Sequence, residues 1–311
     1  MNVTNSCPEP LDVRHSTLCL LAPGQLSRLL RWMEQLPVSP NLRPMDLADA
    51  WRAAGPSWER LSREEAGRAD EPVVLPLPPA VQAHVEAVIA TPAVQRTFDA
   101  VPVAFGLVPL AQLMVSQYSL TGATVDALTA GPPPGPEALA ALCLPLQGGD
   151  ADAGLRLVHR GPRELVFVSD THDTRMLDTR CFLGAERPDL PVRGHPEAMV
   201  GLFLGQSTNL VNVLLHRRRL LVNNGHHRLH ALLAAGVTHV PALIQVCGSR
   251  EEFDEVAPRA ARDAYHPYFE SPRPPLLADF ANPALTLAVR TPPMRRELKV
   301  TFEWESKMVA I

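Results

Sequence analysis

The sequence contains no segment long and apolar enough to span a bilayer, and it opens on no basic leader with an apolar run behind it. A soluble, unexported, cytoplasmic protein is therefore expected. It also lacks any C-x-x-C pair. Its five cysteines, Cys7, Cys19, Cys143, Cys181 and Cys247, are odd in number and widely scattered, which argues against a disulfide framework or a structural zinc site and fits a reducing compartment. Nor is there an excess of basic charge. With a formal net charge of -4 and a pI of about 6.3, the chain lacks the field that marks a dedicated nucleic-acid binder. No internal repeat is visible. What is present is bulk: 311 residues with 46% hydrophobic content can bury a sizeable core and exceed the usual size of one compact domain.

The first hundred residues read as helices joined by irregular loops. From Gln25 to Leu36 the spacing puts Leu26, Leu29, Leu30 and Met33 on one face, and from Ala80 to Ile89 it does the same for Val81, Val85 and Val88. Between them "GPSWERLSREEAGRADEP" reads as loop. Near Val101 the texture changes to "VPVAFGLVPLAQLMVSQYSL", which suits a strand and a short helix. "TAGPPPGPEAL", from Thr129 to Leu139, reads as a loop, because proline lacks the amide donor and fixes φ. "ELVFVSD" is strand-like, "GSREEFDEVAPRAARDAYHPYF" reads as a helix, and "RELKVTFEWES" alternates as a final strand. The expected class is α+β. A helical region covers residues 1–100, a mixed domain covers 101–250 with a long insertion at about 121–215, and a C-terminal extension covers 251–311.

The most informative stretch is "LLVNNGHHRLHALLAAGVTHVPALIQV", from Leu220 to Val246. Leu220 to Val222 form a short buried strand, Asn223 and Asn224 are good N-cap residues, and Gly225 permits positive φ or a close backbone approach. A helix over 226–235 then turns Leu229, Leu232 and Leu233 toward a sheet. Gly236 ends it in a left-handed cap, and Val240 to Val246 re-enters the sheet. The start of that helix presents unsatisfied N–H groups and the positive end of its dipole, and Arg228 adds a bidentate fork, so an anion is favoured there. From Ala198 through Arg250 there is no Asp or Glu, while Arg217, Arg218, Arg219, Arg228 and Arg250 are all present. The alternative for the run Arg217 to Arg219 is a solvated loop, and for the asparagines helix capping alone.

"NNGHHRLHALLAAGVTHVPALI" resembles the ParB/sulfiredoxin-like superfamily, and "LVPLAQLMVSQY" resembles that family's opening strand and turn. The resemblance implies a ParB-like mixed domain in which Asn224, Gly225, His226, His227 and Arg228 hold the phosphates of a nucleotide: ATP, ADP or CTP, which the motif does not distinguish. His226 stands where a sulfiredoxin carries its nucleophilic cysteine, and prolines follow the domain where a partition protein carries a helix-turn-helix. Neither of those activities is therefore expected.

The expected function is binding of a nucleotide or phosphorylated small molecule at the 226–235 helix, extended to phosphoryl transfer with magnesium if a carboxylate is at hand. Asp170 and Asp173, beyond a strand end, are the candidate catalytic residues, with Asp178 nearby; the plainer reading is that they cap and solvate a turn. A non-catalytic regulatory or protein-interaction module on the same fold is the alternative, and nucleic-acid binding is a third. His226 and His230 stand four apart on one helical face, but without an accompanying acid or cysteine no metal is expected.

Overall fold

The computed structural model describes residues 16–23, 26–34, 42–122, 134–146, 154–170, 174–184, 191, 194–206, 208–292 and 295–309. In chain order its elements begin with β1 (Ser16–Leu20), α1 (Leu26–Glu34), α2 (Pro44–Glu64), α3 (Pro79–Ile89), α4 (Pro92–Thr97), β2 (Val103–Pro109), β3 (Met114–Val115), β4 (Ser119–Thr121) and α5 (Pro136–Cys143). Then come β5 (Arg156–Arg160), β6 (Glu164–Ser169), β7 (Thr174–Leu183), β8 (Ala198–Gln206), β9 (Asn212–His216), β10 (Arg219–Asn224), α6 (His226–Ala234) and β11 (His239–Val246). The chain ends with α7 (Arg250–Val256), α8 (Arg259–Asp263), α9 (His266–Phe269), β12 (Thr286–Arg290) and β13 (Arg296–Thr301). The protein is of mixed α+β class.

These elements form two compact units. The first comprises Met1–Leu146 and Leu210–Pro293, the second Gln147–Asn209 and Met294–Ile311. The three regions drawn from the sequence are therefore not the units that fold. Residues 1–100 are not a separate helical region, because β1 is the middle strand of a sheet β12-β1-β4. Most of the C-terminal extension belongs to that unit as well. A buried Arg273 joins it to the N-terminal half, bonding Glu65 at the end of α2 (2.8 Å) and Asp279 (2.5 Å).

The central sheet of the first unit has the order β2-β11-β9-β10-β3. β9 and β10 form a hairpin, β11 runs parallel to β9, β2 lies antiparallel on β11, and β3 pairs parallel with β10. Leu220, Leu221 and Val222 are fully buried, and so are Val213, Leu214, Val240, Ala242 and Leu243, as expected of strands covered on both faces.

Two stretches read as loop are helical. α2 runs through Gly55 and Pro56, because Leu47, Ala54 and Trp58 recur on one buried face. The indoles of Trp51 and Trp58 also donate to the carbonyls of Ala22 (2.8 Å) and Leu21 (2.7 Å). These anchors outweigh the one intrahelical bond that proline forgoes. Within 129–139, residues 129–133 lie outside the described residues, but Pro136 opens α5 at a first-turn position where its missing amide costs nothing. The "GSREEFDEVAPRAARDAYHPYF" stretch is three short helices, interrupted at Pro258 and again before Pro267.

The second unit holds two small sheets, β13-β6-β5 and the hairpin β7-β8. No helix among the described residues is long and apolar enough to cross a membrane.

Candidate functional site

The turn after β10 is built by local strain and close packing. A bulge between Val222 and Asn224 shifts the ladder against β9. Gly225 then adopts φ 100° and ψ 13°, in the left-handed region, and a Cβ placed on it would lie 3.0 Å from the Cγ2 of Val211. Glycine is needed here for its backbone and for space alike. α6 opens directly behind it, with Leu229 N–H donating to Gly225 O at 2.9 Å, no side-chain cap and no acid in the first turn. Gly236 closes the helix at φ 83°, with the Gly236 and Val237 amides donating back to Leu233 and Leu232.

The residues around the turn differ from expectation in what they do. Asn223 and Asn224 do not cap α6, because Gly225 holds the cap position. The Asn224 amide donates to Leu210 O (2.9 Å), and that of Asn223 reaches Gln245 Oε1 and Val256 O, both at 3.4 Å. His226 is buried and its Nε2 finds no hydrogen-bond partner. Burial, reinforced by His227, pushes its pKa down to about 3, so the imidazole is neutral near neutral pH. The backbone N–H of Thr121 donates to His227 Nε2 at 3.0 Å, which assigns that nitrogen a lone pair. His230, also lowered by burial, stands edge-on to Phe280 with its Nδ1 unpartnered.

Arg228 donates from Nη1 to the carbonyl of Leu142 (2.7 Å), in the last turn of α5, where a cation suits the negative end of the helix dipole. The guanidinium is thus held in position from behind. The Asn212 side chain, on the neighbouring strand opposite Asn224, is buried with an unpartnered Oδ1.

The acid-free run from 198 to 250 is not an acid-free neighbourhood, because the fold brings carboxylates in from elsewhere. Arg219 is buried and bonds Asp70 (2.6 Å) and the carbonyls of Tyr268 and Ser271 (2.6 and 2.9 Å). Arg218 pairs with Glu71, and Arg250 with Asp254. Two of the three arginines at 217–219 are therefore structural ties. The signal the sequence reading missed is Asp70-Glu71, an acidic pair lying in what was read as loop.

Of the candidate catalytic carboxylates, Asp170 and Asp178 belong to the second unit. Asp170 is half-exposed, paired with Arg295 at 2.8 Å and Arg156 at 3.7 Å. Asp173 lies outside the described residues. Asp178 is held by Arg180 and the Thr179 amide on exposed β7. Burial pushes the thiols of Cys19 and Cys143 up to about 12 and that of Cys247 up to about 11, so none of these is a thiolate at neutral pH. Among the described residues no group of three or more His, Cys, Asp or Glu is placed to hold a metal ion. No protein family, curated protein or solved structure matches this chain.

Proposed function

We propose that the Gly225–Arg228 turn binds a nucleotide or phosphorylated small molecule, as its resemblance to the ParB/sulfiredoxin-like superfamily implies. One observation carries the reading. Gly225, in a left-handed conformation where a Cβ would press against Val211, opens a helix with no side-chain cap and no acid in its first turn. Arg228 at the third helical position is braced by Leu142. Backbone amides around such a turn suit phosphate oxygens, and a guanidinium already braced by the protein loses less entropy on binding.

Binding without chemistry is the version favoured. An array of amides and a cation stabilises phosphate in ground and transition states alike, and Asp170, the nearest candidate carboxylate in sequence, is already paired with two arginines. A ligand-sensing or regulatory module therefore ranks above a phosphotransferase, and magnesium is not part of the proposal. Nucleic-acid binding loses its support, because Arg219 is buried and Arg218 is paired.

Calorimetry with ATP, ADP and CTP tests this. At least one is expected to bind the parent protein, and Arg228→Ala is expected to weaken it about tenfold or more, the scale of a lost charge-assisted pair. Absence of any binder in the panel, or unchanged affinity in a folded Arg228→Ala variant, overturns the assignment.

A further inference from the structure

Three non-glycine residues among those described have positive φ: Glu71 (52°), Arg217 (47°) and Arg218 (62°). All three line the same open cavity of about 410 Å³, together with Pro72, Leu215 and Val246. Backbone strain of this kind concentrates where a ligand is gripped, and here every instance is at one place.

The cause is local. Arg217 and Arg218 are the two-residue connection between β9 and β10, closed by the pair His216 and Arg219. Such a hairpin matches the twist of its strands only with positive φ at both positions, which Asn-Gly adopts cheaply and a long side chain does not. Glu71, itself strained, locks the second position: its amide donates to Arg218 O at 2.9 Å and its carboxylate pairs with the Arg218 guanidinium. Arg217 lies over the Tyr265 ring, 5.5 Å from its centroid, and has no carboxylate partner among the described residues. Arg250, which also lies over that ring at 3.9 Å, is neutralised by Asp254. Both ring nitrogens of His216 are engaged, Nδ1 with Cys247 O (2.9 Å) and Nε2 with Tyr265 OH (2.8 Å). The cavity therefore presents the Arg217 guanidinium above an apolar wall, with the Glu252 carboxylate held by the Gly248 and Ser249 amides at its Gly248 edge.

The geometry points to a binding site for a small monocarboxylate with an aliphatic body, the carboxylate on Arg217 and the chain against Pro72, Leu215 and Val246. The Arg217 guanidinium fork matches the two oxygens of a carboxylate. The cavity is at the opposite end of β10 from Gly225, roughly 23 Å away at the rise of a strand, so it is separate from the phosphate turn.

Thermal-shift titration with straight-chain carboxylates from acetate to hexanoate tests the site in the full chain. Affinity is expected to rise roughly threefold to fourfold per added methylene. Arg217→Gly relieves the positive φ, so that variant is expected to be at least as stable as the parent while losing the carboxylate response. Arg217→Lys, with charge but no fork, is expected to bind about tenfold more weakly. Any nucleotide response belonging to Gly225–Arg228 should be the same in Arg217→Gly as in the parent, which keeps the two sites distinguishable. The proposal is overturned if the parent shows no carboxylate response, if the response ignores chain length, if Arg217→Gly keeps it, or if Arg217→Gly is less stable than the parent.

Discussion

β10 in the first unit and β8 in the second are both apolar strands, yet Leu220, Leu221 and Val222 have no accessible surface while Val200 keeps 67% and Phe203 43%. The contrast extends to the whole chain. Every buried apolar residue among those described lies in the first unit, and the second buries only Ser169 and Thr174. All five residues of β5 are exposed, and so are eight of the ten in β7. One unit is held together by burial on two sides of a sheet. The other is held mainly by ladder hydrogen bonds, which contribute little net free energy each because water competes for the same groups. Apolar content alone did not separate them.

The largest effect that would sharpen this contrast is in the buried ion cluster. Arg273→Met leaves Asp279, 3% exposed, as an uncompensated buried charge and is expected to cost about 3–5 kcal/mol by urea denaturation. A loss under 1 kcal/mol would mean that the ties between the N- and C-terminal segments matter little.

Next comes a matched pair of truncations. Leu220→Ala in β10 is expected to cost about 2–5 kcal/mol, whereas Val200→Ala in β8 is expected to stay within about 0.5 kcal/mol. Equal costs would break the comparison.

A smaller effect belongs to acid. The folded chain keeps His226 unprotonated down to about pH 3, while the unfolded chain protonates it near 6.5. The unfolded state therefore binds more protons in that window, and stability falls as pH drops from about 6.5 toward 3, by up to about 1.4 kcal/mol per pH unit. His226→Leu should flatten this acid limb. Parallel pH–stability curves for variant and parent would show that the imidazole is not the group responsible.

The strand–turn–helix–strand unit around Gly225 was legible residue by residue because what makes it is local. An apolar run, a glycine that must go left-handed and a second glycine that ends the helix all act within a few residues of one another. The helix over Leu26–Glu34 was legible for the same reason. The roles within the turn were not. Nothing in "NNGHHR" says that Asn224 reaches Leu210 or that Arg228 braces on Leu142. Nor does "GPSWER" say that two tryptophans will carry a helix across Pro56.

The sequence by itself determined the mixed α+β class, the position of the Gly225 turn and the elements flanking it, since periodicity and glycine stereochemistry are properties of neighbouring residues. Only the tertiary structure decided how the chain divides into units, which arginines are available and which carboxylates are near. Asp70 lies 149 positions from Arg219, and Glu65 lies 208 from Arg273. Charge partners so distant meet only after the core has closed, so no local pattern of residues could have announced them.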